Sequence, residues 1–101
     1  MQYPRNQHVH DRILKRIRTL VRLRSYVMTT HADEEADEDS LTIFDIESAI
    51  LTGSVVERQR DSETREWKYV IKGETLDERN AVVVLKFGLV RRLYILTVYE
   101  E

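Results

Sequence analysis

The sequence predicts an α+β domain in which N-terminal helices pack on one face of a mostly antiparallel four-stranded sheet. Up to Gly53 the apolar residues recur at helical spacing. Beyond Gly53 they alternate, or fall in short runs of strand length. The strands follow one another through short connections instead of alternating with helices, which favours antiparallel pairing. A chain of 101 residues, 42% of them hydrophobic, supports one domain with one modest core.

Residues Met1–Gln7 read as a short flexible lead, with Asn6 available as an N-cap. From Val9 to Arg24 the residues Ile13, Leu14, Ile17, Leu20 and Val21 fall on one helical face with cations between them, giving a basic amphipathic helix. Residues 1–25 form this extension, and residues 26–101 the α+β domain. Tyr26-Val27-Met28-Thr29-Thr30 has the composition of a short strand. His31–Asp39 reads as a short acidic helix capped by Thr30, its first acids facing the positive end of the helix. Ser40 or Thr42 opens the next helix, whose Ile43, Ile46, Ala49 and Ile50 keep a 3-4 rhythm until Gly53 stops it. Strands follow over Val55–Arg60, Glu66–Lys72 (ended by Gly73), Ala81–Phe87 and Leu93–Tyr99. The last two are apolar enough to form the middle of a covered sheet.

Charge is sorted by position although the net charge is only −2. Arg5 to Arg24 holds seven cations and one acid; Asp33 to Glu47 holds eight acids and no cation. Such blocks mark contact surfaces or solvated faces. There is no cysteine, which excludes disulfides, thiolate metal sites and thiol nucleophiles. No apolar run is long enough to cross a bilayer, and no signal-peptide pattern follows Met1, so a cytoplasmic protein is expected. His8 and His10 are two apart and point away from each other on a helix, and the acidic run lacks a calcium-loop pattern; no metal and no cofactor are expected. Gly53, Gly73 and Gly88 are isolated and form no phosphate-cradling loop.

Several pieces together carry a resemblance: Thr30-His31-Ala32, the Leu41-Thr42-x-x-Asp45-Ile46-x-x-Ala49-Ile50-x-x-Gly53 stretch, Val55-Val56-Glu57, and Ile95-x-Thr97-Val98-Tyr99. From about Met28 to Glu100 the chain resembles the small bacterial and archaeal family catalogued as domain of unknown function 4258. The resemblance implies a compact α+β fold likened to RelE and barnase-like toxin ribonucleases. Fold does not settle function. Relatives often carry an arginine and a methionine soon after the His-Ala pair, where this chain has Asp33, Glu34, Glu35, Asp37 and Glu38.

Under that resemblance His31 is the candidate acid–base group for metal-free RNA cleavage, and its acidic neighbours favour a general-acid role. The competing reading is a histidine that hydrogen-bonds locally at a helix start. Tyr99 and Thr97 share one face of the last strand, where tyrosine can stack on a base and threonine can orient a phosphate; simple edge packing is the alternative. Arg91 and Arg92 in the last hairpin, with Lys86 on its first arm, are placed to neutralise phosphate charge, unless the hairpin is only a solvated tip. Trp67 and Tyr69 alternate with Lys68 and Lys72; this is either an RNA platform or a half-buried strand, and core packing is expected for Trp67.

Two functions fit. In the first, the chain binds or cleaves RNA without metal, with His31, Tyr99, Arg91 and Arg92 catalytic and Thr97, Lys86 and Lys68 holding substrate. In the second, it is a non-catalytic interaction module that self-associates through its basic helix and acidic face. The partners that follow are RNA, an antitoxin-like protein or a second copy in a homodimer, and not a membrane.

Overall fold

The computed structural model describes residues 5–101, with side chains from His10 onward. The start of the expected lead (Met1–Pro4) and the cap expected from the Asn6 side chain lie outside what is described. The elements run α1 (Arg5–Arg22), β1 (Tyr26–Met28), α2 (Thr30–Glu38), α3 (Ile43–Thr52), β2 (Ser54–Arg60), β3 (Trp67–Glu74), β4 (Asn80–Phe87) and β5 (Leu93–Glu100). The α+β class holds, with all helices preceding the long strands. The sheet, however, has five strands in the order β1-β5-β4-β3-β2 and is mixed. The three residues of β1 pair with Leu93–Ile95 of β5 in parallel, and every other pairing is antiparallel. The segment with the composition of a short strand is thus a full partner at the sheet edge. A parallel neighbour needs a long crossover, and here the rest of the chain supplies it.

The core lies between one sheet face and the helices. Ile17, Val21, Ile46, Ile50, Ile71, Val83, Leu85, Leu93, Ile95 and Val98 are all essentially inaccessible. Leu14, Ile17 and Val21 put α1 into this same core, so its apolar stripe is satisfied within the domain. The last turn of α1 closes without glycine. Arg24 takes a left-handed conformation (φ 55°), while Ser25 and Arg24 donate backbone N–H bonds to Leu20 O and Val21 O. α2 ends the same way, with left-handed Ser40 (φ 53°) and Leu41 N–H bonded to Ala36 O.

α2 starts one residue earlier than expected: Thr29, not Thr30, is the cap, and its hydroxyl accepts from Ala32 N–H. The same hydroxyl donates to Ile95 O, so one side chain both starts the helix and ties it to β5. Thr42 and Asp45 form a capping box at the start of α3, each side chain accepting the other's backbone N–H. Asp45 is buried and also accepts from Leu76 N–H in the β3–β4 loop. Arg79 completes the junction. Its guanidinium reaches Asp77, the carbonyls of Asp39 and Ser40, Glu100 and Asp45, joining three connections at one end of the sheet.

Gly73 does not end β3 but lies within it, where a Cβ would overlap the backbone of Ala49 in α3. That contact sets how closely α3 lies on the sheet.

Gly73→Ala is therefore expected to lower stability by roughly 3 kcal/mol, because the clash is with backbone that cannot repack; urea denaturation checks this. The Asp45 carboxyl is held below the ordinary carboxylate range, first by the Thr42 backbone N–H, with further help from the Thr42 hydroxyl and Leu76 N–H and against the cost of burial. A depressed native pKa gives stability that is complete above the unfolded value near ~4 and is lost as pH falls through the native value. Stability should thus decline below about pH 4. Asp45→Asn should be less stable than the parent at pH 7 and lose less on acidification, as read from denaturation midpoints at pH 7 and pH 3.

Candidate nucleic-acid interface

The two sheet faces differ in how their charges are used. On the face away from the helices, strand register places Lys68, Lys72, Lys86, Thr97 and Tyr99 together with Val70, Val82 and Val84. The lysines there are each matched to a carboxylate: Lys68 to Asp61 at 3.3 Å, Lys72 to Glu101 at 2.6 Å and Lys86 to Glu66 at 3.3 Å. Asp61 is itself drawn down to about 2, mainly by the Thr64 and Glu63 backbone N–H groups and then by Lys68. A hollow of about 570 Å³ beside Lys86, Tyr94, Thr29 and Glu66 also lies here. Lys68, Lys86, Thr97 and Tyr99 therefore do share a face, but its positive charge is largely answered within the chain.

On the helix-covered face the arginines have no such partners. Antiparallel pairing of β2 with β3 sets Arg60 opposite Trp67 and Arg58 opposite Tyr69. Arg58 lies over the Trp67 ring at 4.0 Å from its centroid, and Arg60 at 5.1 Å. Trp67 is 36% exposed and so is not the core residue expected; it begins β3, and guanidinium groups cover it in place of aliphatic side chains. Tyr69, two residues on, is buried and meets Phe87 edge-on at 5.9 Å. Arg16 of α1 then lies over Phe87 at 4.4 Å. Among the described residues neither Arg16 nor Arg58 is in an ion pair, and Arg60 only donates to Arg65 O. The result is a row of alternating cations and aromatics along one end of the sheet.

The residues expected to be catalytic are spread over three regions. His31 is exposed on α2, with Nε2 3.2 Å from Glu35 Oε1. Tyr99 is 41% exposed near the end of β5. Arg91 and Arg92 lie beyond the opposite end of that strand, seven residues from Tyr99 at the nearer arginine, which spans about 23 Å in extended chain. The arrangement does not bring His31, Tyr99 and the two arginines into one cleft.

Half of the acidic block is structural. Glu35 accepts from Val98 N–H and Asp39 from Glu100 N–H. Asp45 caps α3, and Glu47 accepts from the Tyr26 hydroxyl at 2.6 Å; burial first, and then this bond, push that phenol well above its ordinary value. Asp33, Glu34, Asp37 and Glu38 face solvent. Between the basic and acidic blocks, the described residues form one ion pair, Arg24–Glu47 at 4.0 Å.

Residues 28–100 match the family model described as Domain of unknown function (DUF4258). The chain belongs to this family. No curated protein and no solved structure matches it. The matched segment contains Arg58, Arg60, Trp67, Phe87 and Arg91, whereas α1 with Arg16 precedes it. Within the matched segment, Thr42-x-x-Asp45 is the capping box, Ala32 and Ala49 are fully buried, Ala49 lies against Gly73, and Gly53 packs against Lys72 backbone. These recognisable positions build the fold. Sequence reasoning missed Arg16, Arg58, Arg60 and Phe87 as site residues. The signal available for two of them was the Arg-x-Arg step facing Trp-x-Tyr across a short turn, which an antiparallel hairpin must bring side by side.

The hairpin after β4 carries two consecutive left-handed residues, Val90 (φ 61°) and Arg91 (φ 52°). A β-branched residue is poorly suited to that region. Val90→Gly should relieve the strain and raise stability by about 1 kcal/mol, as measured by chemical denaturation.

Proposed function

We propose that this protein binds single-stranded RNA along the arginine–aromatic row at the end of the sheet. The observation that carries this reading is the pair of guanidinium groups stacked on an exposed tryptophan. An unpaired base has a π-face that stacks on indole or on a guanidinium plane, and the same arginines answer the neighbouring phosphates. Phe87 and Arg16 repeat the arrangement further along the face. Pairing of the lysines with carboxylates on the other face favours this end over the sheet's open side. Binding is the better-supported half of the RNA reading, because cleavage needs an acid–base group at the phosphate and His31 is engaged with Glu35 on the far helix. A protein partner, antitoxin-like or a second copy, is the other reading. It is favoured by the hairpin tip, where Leu89 and Val90 are 84% and 88% exposed.

In EDTA, the protein should bind a labelled single-stranded RNA oligonucleotide in fluorescence anisotropy, and the RNA should quench Trp67, the sole tryptophan. Trp67→Ala is expected to weaken binding roughly 10- to 100-fold, the equivalent of losing one base stack. Arg58→Ala/Arg60→Ala should also flatten the salt dependence, by about 1.4 in the log–log slope for two lost phosphate contacts. His31→Ala should bind as the parent does. Absence of binding at 50 mM salt, or parental affinity in the Trp67 and Arg58/Arg60 variants, would remove the proposal.

A further inference from the structure

We infer that the notch between α1 and the β4–β5 hairpin is a phosphate subsite for a ribonucleotide. This extends the RNA-binding reading by naming the part of the ligand held there. The notch encloses about 360 Å³ and is lined by Arg16, Thr19, Leu20, Phe87, Gly88 and Arg91. Two guanidinium groups from elements far apart in sequence line it, and the lining contains no carboxylate. Among the described residues neither arginine is in an ion pair. Like charges gathered around one hollow repel each other unless an anion joins them, and the guanidinium fork matches phosphate oxygens in pairs.

The Arg16 guanidinium and the Arg91 backbone are placed before any ligand arrives. Arg16 is stacked on the Phe87 ring. At Arg91 the backbone is fixed from three directions. Its carbonyl accepts from Ser25 Oγ at 2.7 Å, the hairpin closes through Gly88 N–H to Arg92 O at 2.6 Å, and Leu93 N–H bonds Ser25 O at 3.0 Å. The left-handed turn at Val90 and Arg91 directs the chain back toward α1, and strain of this kind persists where surrounding contacts over-determine it. Gly88 lets the Tyr94 ring lie against the hairpin backbone, since a Cβ there would overlap that ring. A donor already stacked in place, as Arg16 is, binds without the cost of ordering it. Thr19 adds a discriminating group. Its hydroxyl proton is committed to Lys15 O at 3.0 Å, so its oxygen meets a ligand as an acceptor, which suits a ribose hydroxyl.

The full chain, labelled with ¹⁵N, is titrated with inorganic phosphate and with a ribonucleoside 5′-monophosphate while amide shifts are followed. Saturable shifts at Gly88 and Thr19 are expected, with the monophosphate binding more tightly than its deoxyribose counterpart. Arg91→Gln and Arg16→Gln should each weaken binding at least 10-fold while the spectrum stays dispersed. No saturable shift at the notch, or shifts that neither variant alters, would overturn the assignment. If phosphate binds the notch but RNA neither binds nor quenches Trp67, the subsite stands and the RNA reading falls. If RNA quenches Trp67 equally in the Arg91→Gln variant and phosphate leaves Gly88 unmoved, the reverse holds. A dinucleotide without terminal phosphates that binds in an Arg91-dependent way assigns the notch to a strand diester. Arg91-dependent binding only of the phosphorylated form assigns it to a chain end.

Discussion

The structure depends on how the free edge of β5 is closed. β1 covers that strand only as far as Ile95. Beyond it, the backbone N–H groups of Val98 and Glu100 point away from β4 and would be left for another chain to pair. α2 lies along this edge, and Glu35 and Asp39 accept those two N–H groups at 3.2 and 2.8 Å. The match is geometric: residues four apart on a helix repeat at about 6 Å, and residues two apart on a strand at about 6.8 Å. It also needs the bulge in β5. Leu85 pairs with Ile95 and Val84 with Thr97, so Leu96 is an extra residue that shifts which N–H groups face α2. With α2 fixed there, its C-terminal carbonyls fall within reach of Arg79, and the α2–α3 connection, the β3–β4 loop and the end of β5 are drawn together.

This accounts for half of the acidic block. The acids that looked like a surface facing a partner are in part backbone acceptors and caps, each held by a hydrogen bond to N–H or hydroxyl. Such charge-assisted bonds contribute roughly 1.5–3 kcal/mol when shielded and less where water reaches them. His31 belongs to this arrangement, since its contact with Glu35 steadies a carboxylate that is already closing the sheet edge. The lysines of the open face are likewise matched locally. Among the described residues that are in no ion pair, three arginines, Arg16, Arg58 and Arg91, lie beside Phe87 or Trp67 at the other end of the sheet. Residual charge next to exposed aromatic surface is the feature the fold itself does not use, and it is where a ligand has something to contribute.

The fold class was legible because period carries it: helical spacing before Gly53 and strand spacing after it reflect which side chains enter the core. The start of α3 was legible to within two residues, as Ser40 or Thr42, and the reciprocal bonds of Thr42 and Asp45 within one turn decide for Thr42. Other features were hidden where the cause is tertiary. β1 has only three residues, and its parallel pairing depends on β5, more than sixty residues away. The ends of α1 and α2 carry Arg24 and Ser40 where glycine is the usual sign, because neighbouring hydrogen bonds hold the left-handed turn. Gly73 reads as a strand stop along the sequence, although its function is to admit Ala49. Trp67 reads as core because alternation identifies a face of the strand and not how far the helices extend over it. The candidate site was least legible of all. It is composed of residues from α1, β2, β3, β4 and a hairpin, and only the register and the lie of α1 bring them together.

That dependence ties the site to the core. Ile17 and Leu20 turn inward from α1, Ile17 fully buried and Leu20 packed against the core. Arg16 precedes Ile17 by one residue, about 100° around the helix, which sets it at the rim over Phe87. Arg18, on the other side of Ile17, donates from Nη2 to Gly53 O at 2.8 Å and ties α1 to the C-terminal end of α3. Phe87 is in turn placed by Tyr69 and by its pairing with Leu93 at the mouth of the hairpin. A change that rotated α1 by even a fraction of a turn would thus open the core at Ile17 and lift Arg16 from the aromatic ring at once. The helix that precedes the family segment is an integral wall of the domain, and the position of one of its cations is fixed by the same packing that keeps the sheet dry.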